Sequence, residues 1–248
     1  MTTISMNKIN LNIGKRRILS DINILFQSGT ITGIVGPNGS GKTTILKIIA
    51  NIINSKSGNV CLDHKDYNKY KRLDLAKKIS YLPQEINIAW PLSVYNVVMT
   101  GLTPFSGIEM NYEKKERGVN SILDELNLKK FSSESVNNLS TGERARVSLA
   151  RALVGNPAFL LADEPVSSLD PFYQLNILEL INKKAKNGMG AVIVMHDLDL
   201  ARRFCDNLVI IQNGKIVSND IPDMSLNDKN LKEIFAVKYD GKNLILSE

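Results

Sequence analysis

Ile31-Thr32-Gly33-Ile34-Val35-Gly36-Pro37-Asn38-Gly39-Ser40-Gly41-Lys42-Thr43-Thr44 is the stretch that decides the fold. Its opening run is apolar on both faces, as a central strand covered by helices must be. The rest fits G-x-x-x-x-G-K-[ST], and the apolar positions Ile45, Leu46, Ile48 and Ile49 predict a helix beginning near Thr43. Strand, glycine-rich turn and helix in this order make a phosphate cradle. Glycines let backbone N–H groups curl around phosphate oxygens, the helix start adds positive potential, Lys42 supplies a point charge and the Thr43 hydroxyl reaches Mg²⁺. The plainer alternative, an ordinary glycine-rich turn, accounts for the glycines but not for every fixed position being filled between the right flanks.

Outward from this stretch, a cradle needs a carboxylate for the metal and, if it hydrolyses, a second for water. Ala158-Phe159-Leu160-Leu161-Ala162-Asp163-Glu164-Pro165 carries both at the end of an apolar strand, where ligands of open α/β sheets collect. Asp163 is placed to hold Mg²⁺ and Glu164 to orient the attacking water. Alternation continues through Ala145–Val154, Phe172–Ala185, Ala191–Met195 and Leu198–Phe204, helix and strand in turn, which argues for a parallel sheet of the α/β class. Leu208–Ile211 and Lys215–Val217 flank Asn213-Gly214 and read as a hairpin. Upstream, Ile9, Ile13, Ile18, Ile22 and Ile24 form a β-rich opening, while Tyr112 to Leu128 is helical and more polar. The tail after 220 is expected to add one small helix around Lys229–Phe235.

Composition narrows the class. The chain has 248 residues, 31 Lys+Arg against 25 Asp+Glu (net charge +6), 43% hydrophobic and 23% charged residues. That apolar share excludes a disordered chain, and no heptad is sustained long enough for a coiled coil. Runs such as Ala158–Ala162 stop far short of the roughly 20 apolar residues a membrane span needs. Cys61 and Cys205 are far apart and read as free thiols in a reducing compartment. The N-terminus lacks the charged start and apolar stretch of a signal peptide. Lys69, Lys71, Arg72, Lys77 and Lys78, and then Lys114, Lys115 and Arg117, read as solvated faces, with no aromatic pattern for nucleic acid beside them.

Leu139-Ser140-Thr141-Gly142-Glu143 opens a helix upstream of Asp163 and by itself spells a capping box, Ser140 to Glu143. Together with Gln84 in Tyr81-Leu82-Pro83-Gln84, Ser168-Leu169-Asp170, and His196 in Met195-His196-Asp197, it resembles the ATP-hydrolysing subunit of ABC transporters over nearly the whole chain. The resemblance implies an α/β fold, a P-loop NTPase core with an N-terminal antiparallel β layer and an inserted α-helical subdomain. Residues 1–84 and 155–220 would form the core with its β layer, 85–154 the helical subdomain and 221–248 a tail. It implies ATP and Mg²⁺ as cofactors and a head-to-tail homodimer. Gly36 to Thr44 would bind the nucleotide of one subunit, while Ser140 and Gly142 reach the γ-phosphate held by the other and Asp170 works across the interface. Lys42, Gln84, Glu164 and His196 would be catalytic, with His196 sensing the γ-phosphate, and Thr43, Gln84 and Asp163 would hold the metal. Asp170 before Pro171 is also a sufficient helix N-cap, and His64 reads as a surface residue.

The chain departs from the family at Thr141 and Glu143, where L-S-G-G-Q is usual, and at Ile13, where an aromatic residue that stacks on the base is usual. Ser93 to Pro104, and Asp197 through Phe235, resemble the ATPases of iron-siderophore, heme and cobalamin importers, except that Leu102 stands where Arg is common. That subtype implies integral membrane permease subunits, a periplasmic or surface substrate-binding protein, no nucleic acid, and a peripheral place on the cytoplasmic face of the inner membrane. The rival readings are a non-transport ABC ATPase acting on nucleic acid or the ribosome, and a regulatory module that holds ATP without hydrolysing it.

Overall fold

The structure is a computed structural model and describes residues 1–84, 91–105, 110–167, 169–241 and 243–247. Its elements, in chain order, begin with β1 (Thr3–Ile13), β2 (Arg16–Gln27), β3 (Ile31–Val35), α1 (Lys42–Ile49), β4 (Ser57–Leu62), β5 (Lys65–Asp66), α2 (Arg72–Lys78) and β6 (Ile79–Leu82). Three helices follow, α3 (Val94–Thr100), α4 (Tyr112–Glu125) and α5 (Thr141–Leu153). Then come β7 (Phe159–Asp163), α6 (Pro171–Lys186), β8 (Gly190–Val194), α7 (Leu198–Phe204), β9 (Asn207–Gln212) and β10 (Lys215–Asp220).

Strands β2-β1-β4-β5 make one antiparallel sheet, and β10-β9-β3-β8-β7-β6 make a second. In the second sheet every neighbour from β9 to β6 is parallel, and β10 folds back antiparallel through the Asn213-Gly214 turn, both residues at positive φ. Strand periodicity divides the core between the two faces of this sheet. Ile34, Phe159, Leu161, Val192, Val194, Val209 and Ile211 meet α1 and the antiparallel layer. Ile31, Val35, Leu160, Ala162, Ala191, Ile193, Leu208 and Ile210 meet the helices α3 to α7. Helix α1 is therefore clamped between two sheets, which fixes the loop at its start.

In the helical part, α3 closes on α5 so tightly that a Cβ at Gly101 would stand 2.1 Å from the Arg151 carbonyl oxygen. Leu102 is 1% exposed in the same core, so an apolar side chain suits this position. His64 is exposed in the turn between β4 and β5.

The tail corrects the expectation of a single small helix. It contains α8 (Pro222–Ser225), α9 (Asp228–Asn230) running into a π-helical turn at Leu231–Phe235, and then a hairpin of β11 (Val237–Asp240) and β12 (Asn243–Leu246). Ala236 at φ 56° ends the helical stretch. Val237 and Tyr239 are half-buried against the main core, an alternation too short to stand out beside the helical signal before it. Tyr239 Oη donates to Asp199 Oδ1 at 2.7 Å and so fastens the hairpin to α7.

Candidate functional site

Gly36 to Thr44 turns from the carboxyl end of β3 into α1. Gly36, Gly39 and Gly41 all have positive φ, and at Gly36 a Cβ would sit 2.0 Å from the Ile211 carbonyl oxygen, so only glycine fits. Helix α1 begins at Gly41 with no side-chain cap, which leaves its first N–H groups for a ligand. Ser40 Oγ is buried with no hydrogen-bond partner among the described residues.

Lys42 is 6% exposed, and its Nζ donates to the carbonyl oxygens of Gly36 at 2.8 Å and Pro37 at 3.1 Å. Burial lowers its pKa, opposed by the nearby negative charges of Glu164 and Asp163. Its charge is thus held inside the loop by dipoles and is not cancelled by a contacting carboxylate, which suits an anion.

The pairing of β6, β7 and β8 brings the remaining groups to the same edge. Thr43 Oγ1 donates to Asp163 Oδ1 at 3.1 Å, and Tyr81 Oη lies 3.5 Å from Asp163 Oδ2. Asp163 is 2% exposed, and burial raises its pKa against the pull of the Thr43 hydroxyl. The phenol of Tyr81 is pushed up to about 12, first by burial and then by Asp163. Glu164 leaves the strand at φ 51°, a left-handed conformation uncommon for a residue with a side chain. Its backbone N–H donates to Val194 O at 3.2 Å, and Ser167 N and Oγ both donate to its carbonyl oxygen. So fixed, its carboxylate accepts from Gln84 Nε2 at 2.7 Å through Oε2 and meets His196 Nε2 at 2.5 Å through Oε1.

Lys42, Thr43, Gln84, Asp163, Glu164 and His196 therefore share one locality. In this structure Gln84 faces Glu164. The oxygens of Thr43 and Asp163 are hard donors of the kind Mg²⁺ takes alongside phosphates and water. Among the described residues no cluster of three or more His, Cys, Asp or Glu could hold a metal alone. The fit is to a cation that shares its ligands with a polyphosphate.

Ser140, Gly142 and Asp170 are placed differently, and no hydrogen bond among the described residues joins them to the P-loop. Ser140 caps α5: Glu143 N donates to Ser140 Oγ, and Ser140 N and Oγ donate to Glu143 Oε2 at 2.9 and 2.8 Å. Those two bonds lower the Glu143 pKa. Glu143 thus serves as the return arm of the box. Thr141 is exposed, with Arg144 Nη2 on its hydroxyl at 3.4 Å while Arg144 Nη1 holds Leu139 O. Asp170 caps α6 through Tyr173 N, and Leu169 beside it lies 3.4 Å from where a Cβ of Gly142 would be. Ser168 lies outside the described residues. Tyr81 was not singled out in the sequence. Its cue was the strand in front of Gln84, which pairs in parallel with the strand carrying Asp163.

Comparison with known proteins fits this geometry. The family described as "ABC transporter" matches residues 19–167. Hemin import ATP-binding protein HmuV of Rhizobium meliloti (strain 1021) is 36% identical over 95% of this chain and 92% of its own. HmuV of Shewanella denitrificans is 32% identical over 96% and 94%. The lipopolysaccharide export system ATP-binding protein LptB of Escherichia coli K12 is 31% identical over 95% and 97%. Among solved structures, a dimeric ATP-binding cassette in a post-hydrolysis state bound to ADP and Pi superimposes with a TM-score of 0.78 at 28% identity, covering 89% of this chain and 99% of that one. CbiO1 of Clostridium perfringens, part of the cbiONQ transporter complex, gives 0.80 at 26% over 92% of each. With a family match across the P-loop and the Asp163-Glu164 strand, and relatives similar over almost their full length, the chain belongs to the ABC transporter ATPases, the ATP-binding subunits that hydrolyse ATP.

Proposed function

We propose that this ATPase works as a head-to-tail homodimer on MgATP and powers uptake of an iron chelate, heme or cobalamin through an integral membrane permease. The observation that carries the catalytic part is the carboxylate of Glu164, held by Gln84 at one oxygen and His196 at the other, beside Asp163 and Thr43. Gly36 to Thr44 binds the phosphates, with Lys42 adding charge. Thr43, Asp163 and Gln84 would hold Mg²⁺, which would supply charge neutralisation to the phosphate chain. Glu164 takes the proton of the attacking water, and His196 and Gln84 keep its carboxylate in place. Ser140, exposed at the cap of α5, and the half-buried Gly142 in its first turn, neither hydrogen-bonded to their own P-loop among the described residues, complete the site of the partner subunit, with Asp170 near them.

Residues 1–84 and 155–220 act as the nucleotide-binding core, 85–154 as the helical subdomain and 221–248 as a tail. Gln84 stands at the joint between core and helical subdomain, which gives the site a lever on a membrane partner. Among the described residues no helix is long and apolar enough to cross a membrane; in this reading the permeases and an external binding protein are separate chains, and the ATPase sits peripherally on the cytoplasmic face. The HmuV relatives favour heme or a related chelate as cargo, and the export role in LptB's name makes cargo the part to test. The test is co-purification with the products of neighbouring permease genes, followed by ATP hydrolysis in proteoliposomes. Stimulation by heme or an iron chelate with its binding protein supports import. Absence of stimulation by any of them removes that cargo class.

A further inference from the structure

Ile13 and Arg16 are direct partners across the antiparallel ladder of β1 and β2. Directly opposed residues project from the same face with their Cβ atoms about 5 Å apart. Ile13 is 63% exposed and Arg16 is exposed as well. Arg16 reaches outward to the P-loop: its Nη2 lies 3.7 Å from the point a Cβ on Gly39 would occupy, over a residue whose φ of +75° keeps that position for glycine. Among the described residues the Arg16 guanidinium has no hydrogen-bond, ion-pair or ring partner. Arg17, opposite Asn12, projects from the other face by strand alternation.

An unpaired guanidinium on the crown of a phosphate loop suits an oxyanion, which its planar donors can bind in pairs. Ile13 beside it offers only dispersion contact to a base, with no π face and no hydrogen bond. The geometry points to Arg16 as a nucleotide-binding residue that grips the phosphate chain from outside the loop, opposite the buried Lys42. Affinity at this site then rests on charge, and the base contributes little selectivity. The inference rests on Gly36 to Thr44 being the nucleotide cradle.

The test is equilibrium binding by calorimetry of the purified chain with MgAMP-PNP, MgGMP-PNP and inorganic tripolyphosphate, in wild type, Arg16→Ala and Lys15→Ala, at two salt concentrations. Arg16→Ala is expected to weaken all three ligands about tenfold, in line with a charged hydrogen bond that is partly solvated, and to flatten the salt dependence. Lys15→Ala, an exposed cation of the same turn, is expected to stay within about twofold of wild type. Three results overturn the inference: Arg16→Ala within twofold of wild type, Lys15→Ala as damaging as Arg16→Ala, or a loss confined to the nucleotides with tripolyphosphate unchanged. A wild-type chain that binds none of the ligands overturns the cradle itself, whereas intact wild-type binding with a silent Arg16→Ala removes Arg16 alone.

Discussion

Gln84 Nε2 donates to Glu164 Oε2 at 2.7 Å, while the other oxygen of that carboxylate meets His196 Nε2. Both oxygens are thereby aimed by groups from different segments, and the backbone holds the residue at φ 51°. A left-handed residue with a side chain costs on the order of 1–2 kcal/mol, so the bonds from Ser167 and to Val194 must keep it there. Glu164→Gln keeps the shape and removes the base. Phosphate release is expected to fall by about 10²–10³-fold, within the range for a general base, while nucleotide still binds and MgATP drives the chain to a dimer on gel filtration. Unchanged turnover with only monomer present would show that Glu164 does not have this role.

Thr43 Oγ1 and Asp163 Oδ1 stand 3.1 Å apart with Asp163 nearly sealed from solvent. If this pair holds the Mg²⁺ that accompanies the nucleotide, EDTA is expected to abolish phosphate release and added Mg²⁺ to restore it. Thr43→Ala is expected to raise the Mg²⁺ concentration for half-maximal rate about tenfold and leave the melting temperature within a few degrees. A Mg²⁺ curve identical to wild type would take Thr43 off the metal.

Much of this was legible in the sequence because the decisive signals are local. Gly36 to Thr44 announces its own turn, Ser140 and Glu143 their own cap, and Asp170 before Pro171 the start of α6. The strand order was not legible, since the β9-β3-β8 and β8-β7-β6 neighbours are set by long-range pairing and not by spacing. The contact of Tyr81 with Asp163 depends on that same pairing, and the reach of Arg16 to Gly39 depends on how the separate antiparallel sheet packs over the P-loop. The tail hairpin was hidden for another reason. Its Val237-x-Tyr239 alternation is short, and its place is fixed by the Tyr239 bond to Asp199 rather than by a strong apolar pattern.

The contact of α3 with α5 can be tested by adding one methyl group. At Gly101 a Cβ would stand 2.1 Å from Arg151 O and 2.7 Å from Val154 Cγ1, so Gly101→Ala must push two helices apart. Overpacking of this kind costs about 1–3 kcal/mol, a fall of roughly 2–10 °C in Tm for a chain of this size. Gly118→Ala, inside α4 with its nearest neighbour 4.0 Å away, should instead hold or raise Tm slightly. If both variants melt together, the helices are not packed as described.

Alkaline pH supplies the last test. Cys205 is buried against Met195 Sδ at 3.8 Å, and desolvation, with Asp206 adding, pushes its thiol from 9.0 up to about 12. The folded chain keeps this proton at a pH where the unfolded chain has lost it. The unfolded state then binds fewer protons, so stability is complete below pH 9 and falls as pH rises from 9 toward 12. Each unit in that window costs about 1.4 kcal/mol from this group. Tyr81, Tyr95 and Tyr239, each pushed up to about 12, add the same sign from pH 10 upward. Urea unfolding of wild type and Cys205→Ala at pH 7 and pH 10 isolates the thiol. Wild type should lose about 1–1.5 kcal/mol more than the variant between the two, and parallel losses would mean that the thiol ionises freely in the folded protein.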